Sequence, residues 1–152
     1  MRLGYGEDSH LLVEGRPLFL CGLAIPSPVG AQAHSDGDAA LHALTDALLS
    51  AYGLGDIGQL FPDTDPRWKG ARSEFFLKEA LRLVEEQGGR LLQISLVLTL
   101  DQPKLSPHRG ALVENLSRLL GLPQDRLGLS FKTSEGLAPR HVQARAVVLL
   151  EG

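Results

Sequence analysis

Asp8, His10 and His42 are spaced so that their side chains could bind one metal ion. Residues two apart in an extended chain point to the same side, so Asp8 and His10 can face one cation. His42 lies in a predicted helix and could supply a third ligand. Two nitrogens and one oxygen suit Zn²⁺, and three protein ligands with an open fourth position are typical of catalytic zinc. Asp46 follows His42 by one helical turn and could contact and orient it.

These residues also have a purely structural explanation. Asp8 and His10 could be surface residues in a polar turn, and His42 could be a hydrogen-bonded histidine in the core. Spacing alone favours this explanation, because Asp-x-His is common and a distant third ligand leaves no local pattern.

A second polar cluster, His34-Ser35-Asp36-Gly37-Asp38, precedes the same predicted helix. Ser35 or Asp36 can cap the helix by accepting hydrogen bonds from its free N–H groups. Alternatively the cluster could bind phosphate, because a helix amino terminus favours anions. Capping leaves His34 and Gly37 unexplained, so both interpretations stay open.

Further polar residues lie in predicted loops. Asp56, Asp63 and Asp65 are in a long Gly-, Pro- and Asp-rich stretch, where aspartates commonly form turns. Lys104 follows a predicted buried strand and is typical of a solvated turn. Thr133-Ser134-Glu135 ends another strand; its hydroxyls and carboxylate suit a phosphate with a hard cation, and equally an exposed turn.

The composition of the chain limits what can position these residues. Its 152 residues are 43% hydrophobic and 22% charged, as expected for one globular domain spanning 1–152. The single cysteine, Cys21, excludes a disulfide scaffold and a thiolate-rich zinc finger. A net charge of −3, the lack of a long apolar run and the lack of a leader predict a cytoplasmic protein without nucleic-acid or membrane partners.

The predicted elements give an α+β fold with one mixed sheet and helices packed on one face. We predict strands at 1–6, 17–20, 23–25, 91–100, 127–133 and 142–150. We predict helices from Ser35 or Asp36 to Gly53, from a Ser73 cap to Gly88-Gly89, and over 107–120. The segments 26–35 and 54–71 are predicted loops.

Five segments of the sequence carry a family resemblance that covers essentially the whole chain. They are RLGYGEDSH at 2–10, AHSDGDAALHALTDALL at 33–49, LGDIG at 54–58, LFPDTDP at 60–66 and QPKL at 102–105. Together they resemble the 2-C-methyl-D-erythritol 2,4-cyclodiphosphate synthases. The resemblance implies an enzyme of the non-mevalonate route to isoprenoids, active as a homotrimer with sites between subunits. It would convert 4-diphosphocytidyl-2-C-methyl-D-erythritol 2-phosphate into the cyclic diphosphate and CMP.

The resemblance also implies roles for individual residues. The zinc ligands would be Asp8, His10 and His42. The methylerythritol phosphate part would be held by His34, Ser35, Asp56, Gly58 and the loop of Phe61, Pro62, Asp63, Thr64 and Asp65. The cytidine pocket would be lined by Pro103, Lys104 and Leu105. The diphosphate would contact Thr133 and Glu135, with Glu135 also reaching a second cation, Mg²⁺ or Mn²⁺. Further substrate contacts would be Asp8, His10, Ile57, Leu100, Lys132, Ser134 and Arg140.

The implied reaction is an in-line attack of the 2-phosphate on the β-phosphorus. A phosphate is already an anionic nucleophile, so positioning and charge stabilisation carry the catalysis. The residues expected to act on the reacting groups are His34, Asp56, Lys104, Thr133 and Glu135. Zinc would act as a Lewis acid, and the loop from Phe61 to Ala71 would be a lid.

The chain departs from the family pattern around the trimer axis. Glu7 stands where relatives often have an aromatic residue, and Leu137-Ala138-Pro139 replaces Phe-x-Gly before Arg140. These positions are associated with an apolar axial channel that can hold an isoprenoid diphosphate. The run Phe131–Glu135 is one residue shorter than in many relatives, which leaves the roles of Thr133 and Ser134 open.

Two other functions fit parts of the pattern. The same metal group with a water at its open position would make a zinc-dependent phosphohydrolase. A trimeric isoprenoid-binding module without catalysis is a third possibility, but a pure binder has no need of Asp8, His10, His42, Asp56 and Glu135. The short chain favours a site shared between subunits.

Overall fold

The strands of the computed structural model, which describes residues 1–152, form one large sheet and one small hairpin. They are β1 (Arg2–Glu14), β2 (Leu18–Leu20), β3 (Leu23–Ile25), β4 (Val29–Ala31), β5 (Arg90–Thr99), β6 (Leu127–Lys132) and β7 (His141–Glu151). The five-stranded sheet has the order β4-β1-β7-β5-β6, and only the β5–β6 pair is parallel. The sheet is therefore mixed, as predicted.

Four α-helices complete the fold, with three single turns of 3₁₀ helix. The helices are α1 (Ala39–Ser50), α2 (Ile57–Leu60), α3 (Ser73–Glu86) and α4 (Arg109–Leu120). The 3₁₀ turns are Pro66–Trp68, Ser106–His108 and Gln124–Arg126. None of the helices is long and apolar enough to span a bilayer.

One hydrophobic core fills the space between the sheet and its helices. Inward-facing residues alternate along β7, where Val142, Ala144, Ala146, Val148 and Leu150 are all buried. They belong to the same buried cluster as the leucines of α1 and α4. The chain therefore has a single-domain α+β fold with its helices on one face of the sheet.

Two glycines of β1 bring α1 unusually close to the sheet. A Cβ atom added to Gly4 would lie 1.9 Å from the carbonyl oxygen of Ala47, and one added to Gly6 would lie 2.2 Å from that of Ala43. Only glycine leaves room for the helix backbone at this distance. The next inward-facing residues of β1 are Asp8 and His10, which therefore lie beside α1.

The structure corrects several predicted boundaries at the amino-terminal end. The first strand runs to Glu14 rather than Gly6, so Asp8 and His10 lie in a strand and not in a polar turn. The cap of α1 is Asp38, whose carboxylate accepts from the Leu41 N–H at 3.0 Å. Neither Ser35 nor Asp36 caps this helix, because Asp36 bonds instead to Ser73.

Other differences lie in the predicted loops. The segment 26–35 contains β4, and 54–71 contains α2 and the turn Pro66–Trp68. Ser73 is the first residue of α3 rather than its cap. The hairpin prediction is confirmed: β2 and β3 are joined by Cys21-Gly22, both with positive φ, as a tight antiparallel turn requires.

The opposite face of the sheet carries no helix. Leu3, Tyr5, Leu11 and Val147 are large apolar residues exposed on this outer face, at 68%, 50%, 52% and 37%. Beside them, the Tyr5 hydroxyl donates to Glu7 at 2.8 Å.

Candidate metal and substrate site

Asp8, His10 and His42 meet at the contact between β1 and α1. Asp8 Oδ2 lies 2.7 Å from His10 Nε2 and 3.2 Å from His42 Nδ1. One potential ligand atom from each residue lies within 4.8 Å of the other two. Their convergence was predicted from the sequence, and the register of β1 brings it about by turning both Asp8 and His10 toward the helix.

The donor set fits a metal ion. His10 Nε2 is buried and, despite its short distance to Asp8, makes no hydrogen bond. A metal would give this nitrogen the partner that it lacks. Burial alone would raise the pKa of Asp8, but its contacts with His10 and His42 outweigh burial and lower the pKa to about 2. Asp8 is thus ionised at neutral pH, as a metal ligand must be.

The second nitrogen of His42 has partners of its own. Nε2 lies 2.7 Å from Ser73 Oγ and 3.2 Å from Ser35 Oγ. The prediction that Asp46 contacts and orients His42 is wrong. Asp46 Oδ1 instead accepts from the Ile57 N–H at 2.7 Å, because the amino terminus of α2 comes down onto this part of α1. Burial raises the pKa of Asp46.

A cleft of about 430 Å³ opens beside the metal group. Most of the residues predicted for the methylerythritol phosphate part line it, namely His34, Ser35, Gly58, Phe61, Pro62 and Asp63. The metal ligands His10 and His42 and the further predicted substrate contact Ile57 line it as well. Asp8, Asp56, Thr64 and Asp65 do not line it. Its remaining wall is made by Gln32, Ala33, Trp68 and Phe76, which the sequence patterns did not assign to a site.

Two of the predicted aspartates act within local structure at the rim. Asp56 caps α2, accepting from the Gln59 N–H at 2.9 Å. Asp65 forms an ion pair with Arg67, at 2.7 Å, and its carbonyl oxygen accepts from His34 Nε2 at 3.2 Å. That hydrogen bond ties the histidine to the loop that follows α2.

Four aromatic rings pack together behind this loop. Phe61 lies 4.6 Å from Phe76 between ring centroids, and Trp68 stacks on Phe75 at 5.4 Å. Trp68 lies in the predicted lid loop Phe61 to Ala71, whereas its partners Phe75 and Phe76 from α3 were not predicted. The cluster gives the cleft an apolar wall.

A second cleft, of about 320 Å³, lies where β5 and β6 end. Its predicted members are Leu100, Pro103, Lys104, Leu105, Lys132, Thr133 and Glu135, and its other members are Asp101, Ser106 and Phe131. Glu135 has φ of +55°, an uncommon backbone conformation for a residue other than glycine. The two clefts share no residue.

Asp101 organises the loop that borders this second cleft. Its carboxylate accepts from the Ser134 N–H at 2.7 Å, from the Ser134 hydroxyl at 2.8 Å and from the Gly136 N–H at 3.1 Å. The Ser134 hydroxyl is therefore directed to Asp101, whereas Thr133 lines the cleft. The side-chain hydrogen bond from Ser134 lowers the pKa of Asp101. A single aspartate after a strand gave no signal for this role.

Comparison with known proteins identifies the family of this chain. The model of the YgbB family matches residues 1–151. The chain belongs to the YgbB family. Proteins of two Thermus thermophilus strains, each called 2-C-methyl-D-erythritol 2,4-cyclodiphosphate synthase, are 83% identical to it over the full length of both chains. The synthase of Deinococcus radiodurans is 59% identical, over 98% of this chain and 93% of its own.

Solved structures agree with the YgbB assignment. A cyclodiphosphate synthase solved in a form bound to CDP superposes with a TM-score of 0.95 and 81% identity, covering 99% of this chain and 100% of that chain. A CDP complex from Plasmodium falciparum superposes with a TM-score of 0.84 at 29% identity, covering 98% and 94%. The family resemblance seen in the sequence is confirmed, as is the expectation of an enzyme of this family.

Arg140 is another predicted substrate residue that lines neither cleft. Arg140 borders a shallow apolar depression with Leu11, Pro139 and His141, and its carbonyl oxygen accepts from the Leu12 N–H at 2.8 Å. It lies at the outer sheet face rather than at either cleft, because the chain turns into β7 at this point. The assignment of Arg140 to the substrate contacts stays a prediction.

The relation between the two clefts follows from the sheet register. Asp8 and Leu98 both pair with Ala144 of β7, so the metal group and the end of β5 lie at the same end of the sheet. One strand separates them, which corresponds to roughly 10 Å between β1 and β5. Each cleft nevertheless has its own walls within the chain.

Proposed function

We propose that this YgbB chain converts 4-diphosphocytidyl-2-C-methyl-D-erythritol 2-phosphate into 2-C-methyl-D-erythritol 2,4-cyclodiphosphate and CMP, in the non-mevalonate route to isoprenoid precursors. The observation that carries the proposal is the Asp8-His10-His42 group at the wall of a polar cleft. It is supported by 83% identity to synthases over the whole chain. The reaction class is a cyclising phosphorus–oxygen lyase.

In the proposed reaction an oxygen of the 2-phosphate forms a bond to the β-phosphorus. The bond from the β-phosphorus to the oxygen bridging the α-phosphorus breaks, and its electron pair leaves on CMP. The nucleophile is an anion already, so the residues need to align it and balance charge rather than remove a proton. When bound by Asp8, His10 and His42, zinc supplies Lewis acidity toward a phosphate oxygen.

The first cleft is proposed to hold the methylerythritol phosphate part. His34 and Ser35 offer ring and hydroxyl contacts, and the segments 57–58 and 61–63 form another part of the wall. The apolar wall of Phe61, Trp68 and Phe76 limits access of water, which would otherwise hydrolyse the diphosphate. We propose that the loop carrying Phe61 and Trp68 acts as the lid.

The second cleft is proposed to hold the cytidine diphosphate part. Leu100, Pro103 and Leu105 supply apolar surface, and Lys104 and Lys132 supply positive charge. Thr133 offers a hydroxyl to the diphosphate.

Glu135 fits a second cation at the same place. It is the one carboxylate on the wall of this cleft that accepts no hydrogen bond, because Asp101 is engaged by the Ser134 loop. Mg²⁺ commonly binds one or two carboxylates together with substrate phosphates, and Mn²⁺ takes similar oxygen ligands. We therefore propose Glu135 as the protein ligand of Mg²⁺ or Mn²⁺.

A homotrimer would unite the two clefts into one site. Neither cleft alone offers both a metal group and a nucleotide pocket, and they share no residue. The outer sheet face, with Leu3, Tyr5 and Val147 exposed, gives an apolar surface for assembly around an axis. We propose that the first cleft of one subunit faces the second cleft of the next.

The axis of such a trimer is the proposed place for an isoprenoid diphosphate. The depression near Leu11, Pro139 and Arg140 would supply apolar contacts and one cation. The proposal includes a cytoplasmic location and no nucleic-acid or membrane partner, in line with the composition of the chain.

Phosphorus-31 NMR tests the proposed reaction directly. Purified protein is incubated with the diphosphocytidyl substrate, zinc and Mg²⁺, and we expect the resonances of a cyclic diphosphate together with CMP. Linear phosphate products without the cyclic diphosphate would refute the synthase assignment and favour a zinc-dependent phosphohydrolase. The His42→Ala variant is the control, and we expect it to leave the substrate unchanged.

A further inference from the structure

Ser73 and Asp36 form a hydrogen-bonded chain behind the metal group. Ser73 is fully buried at the start of α3, and its Oγ lies 2.7 Å from His42 Nε2. Asp36 accepts from both the Ser73 hydroxyl and the Ser73 backbone N–H, the latter at 2.9 Å. It also accepts from the Asp38 N–H at 3.1 Å, at the start of α1. Asp36 thus joins the helix that carries His42 to the helix that carries Ser73.

The donors and acceptors in the hydrogen bonds between Asp36, Ser73 and His42 determine which nitrogen of His42 carries the proton. A carboxylate only accepts hydrogen bonds, so the single proton of the Ser73 hydroxyl points to Asp36 Oδ1. The Ser73 oxygen therefore offers a lone pair to His42 Nε2, and the proton between them belongs to Nε2. A neutral imidazole carries one N–H, so Nδ1 keeps its lone pair. That is the nitrogen which lies 3.2 Å from Asp8 Oδ2.

We infer that Ser73, held by Asp36, is a positioning residue that keeps Nδ1 of His42 free to bind the metal ion. The inference rests on the proposed metal site and adds to it residues that do not themselves touch the ion. Hydrogen bonds on the second nitrogen of a ligand histidine fix its tautomer and ring orientation. Ser35 Oγ, 3.2 Å from the same nitrogen, already accepts from the Gly37 N–H and is the weaker partner.

Zinc affinity of Ser73→Ala tests the inference without any measurement of activity. Loss of the acceptor for Nε2–H is expected to raise the zinc dissociation constant about 10–100-fold in a competition with a chromophoric chelator. Asp36→Asn leaves one acceptor oxygen for the three donors that bond to Asp36, and we expect a smaller rise in the zinc dissociation constant. The matched control is Thr45→Val, because Thr45 is also fully buried but its hydroxyl donates to the Leu41 carbonyl oxygen, at 2.7 Å.

The Nε2–H proton of His42 provides a second readout. In zinc-loaded protein labelled with ¹⁵N-histidine, we expect wild type and Thr45→Val to show this proton as a hydrogen-bonded resonance. In Ser73→Ala it should move upfield or be lost to solvent exchange. A serine needed only for packing would not move this resonance, so the spectrum separates positioning from structure.

Each outcome has a distinct meaning. If wild-type protein binds no zinc, both the proposed metal site and this inference are overturned. If wild type binds zinc but Ser73→Ala binds it equally well with an unchanged Nε2–H resonance, only the inference fails. If Ser73→Ala loses its helical circular dichroism and is therefore unfolded, the Asp36→Asn variant provides the test instead. An unchanged zinc affinity in folded Asp36→Asn protein then contradicts the inference.

Discussion

The Gly6→Ala substitution should separate α1 from β1 and damage the metal group. The added Cβ would lie 2.2 Å from the Ala43 carbonyl oxygen and 2.5 Å from the Ala47 nitrogen, whereas such contacts are essentially never below 3.0 Å. Both atoms belong to the helix backbone, so no side chain can turn aside. The helix must therefore retreat by about 0.8 Å or more.

Both stability and metal binding are expected to fall. Overpacking a core costs about 1–3 kcal/mol, and we expect about 3 kcal/mol here because only backbone can yield. For a chain of this size that lowers the Tm by roughly 6–12 °C. His42 moves with the helix away from Asp8 and His10, and ligand distances tolerate only about 0.2 Å, so the zinc dissociation constant should rise at least about tenfold.

We would measure Tm by calorimetry and zinc affinity by chelator competition, on Gly6→Ala and on Gly128→Ala as the matched control. Gly128 lies in β6 of the same sheet, but a Cβ added there would have its nearest neighbour, Ser95 Oγ, at 3.5 Å, an ordinary contact. We expect Gly128→Ala to keep the wild-type Tm within about 2 °C, and its zinc affinity. If Gly6→Ala keeps the wild-type zinc affinity and Tm, the claim that close packing of β1 on α1 positions the metal ligands is refuted.

Three further predictions concern groups around the two clefts. Burial raises the pKa of Asp38 to about 6, so between pH 4 and 6 the folded chain binds a proton that the unfolded chain releases. The free energy of unfolding should therefore fall by up to about 3 kcal/mol as pH rises through that window. In urea titrations at several pH values, Asp38→Asn should remove this pH dependence, and an unchanged pH dependence would contradict the prediction. Arg16 donates to the Ala33 and Ser35 carbonyl oxygens, both at 3.2 Å, so in steady-state kinetics Arg16→Ala should raise KM about tenfold with little change in kcat. An unchanged KM would contradict the role of Arg16 in holding this loop. Asp101→Ala should weaken CDP binding about tenfold in calorimetric titrations while zinc affinity stays unchanged, and equal CDP affinity would argue against its role in the loop.

Much of the fold was predictable because its elements have strong local patterns. The three long helices and the β2–β3 hairpin follow from apolar spacing and turn residues. The first strand was predicted too short for a physical reason: the polar run Glu7-Asp8-Ser9 is typical of a turn, and its strand conformation depends on distant pairing with β7. Gly4 and Gly6 of this strand make room for α1, whose contacting residues come 37 or more positions later, so the sequence around the glycines does not reveal the contact.

The candidate site was likewise predictable only in part. Asp8 and His10 are two apart in a strand, and the family resemblance supplied His42. The partner of His42 could not be chosen from spacing, because Asp46 is one turn away while Ser73 lies 31 residues away and arrives through the packing of α3 on α1. Asp101 was missed likewise, since its three donors come from a loop 33–35 residues later.

Complementation between subunits tests the central claim, that the metal cleft of one chain and the nucleotide cleft of another make one site. His42→Ala disables the first cleft and Lys104→Ala the second. Each variant alone should be inactive in the phosphorus-31 assay. Co-expressed in equal amounts and purified as mixed trimers, they should regain about a quarter of wild-type activity, because half of each cleft type is intact and the two assort at random. Mixed trimers with no activity above that of either variant alone would contradict the shared site.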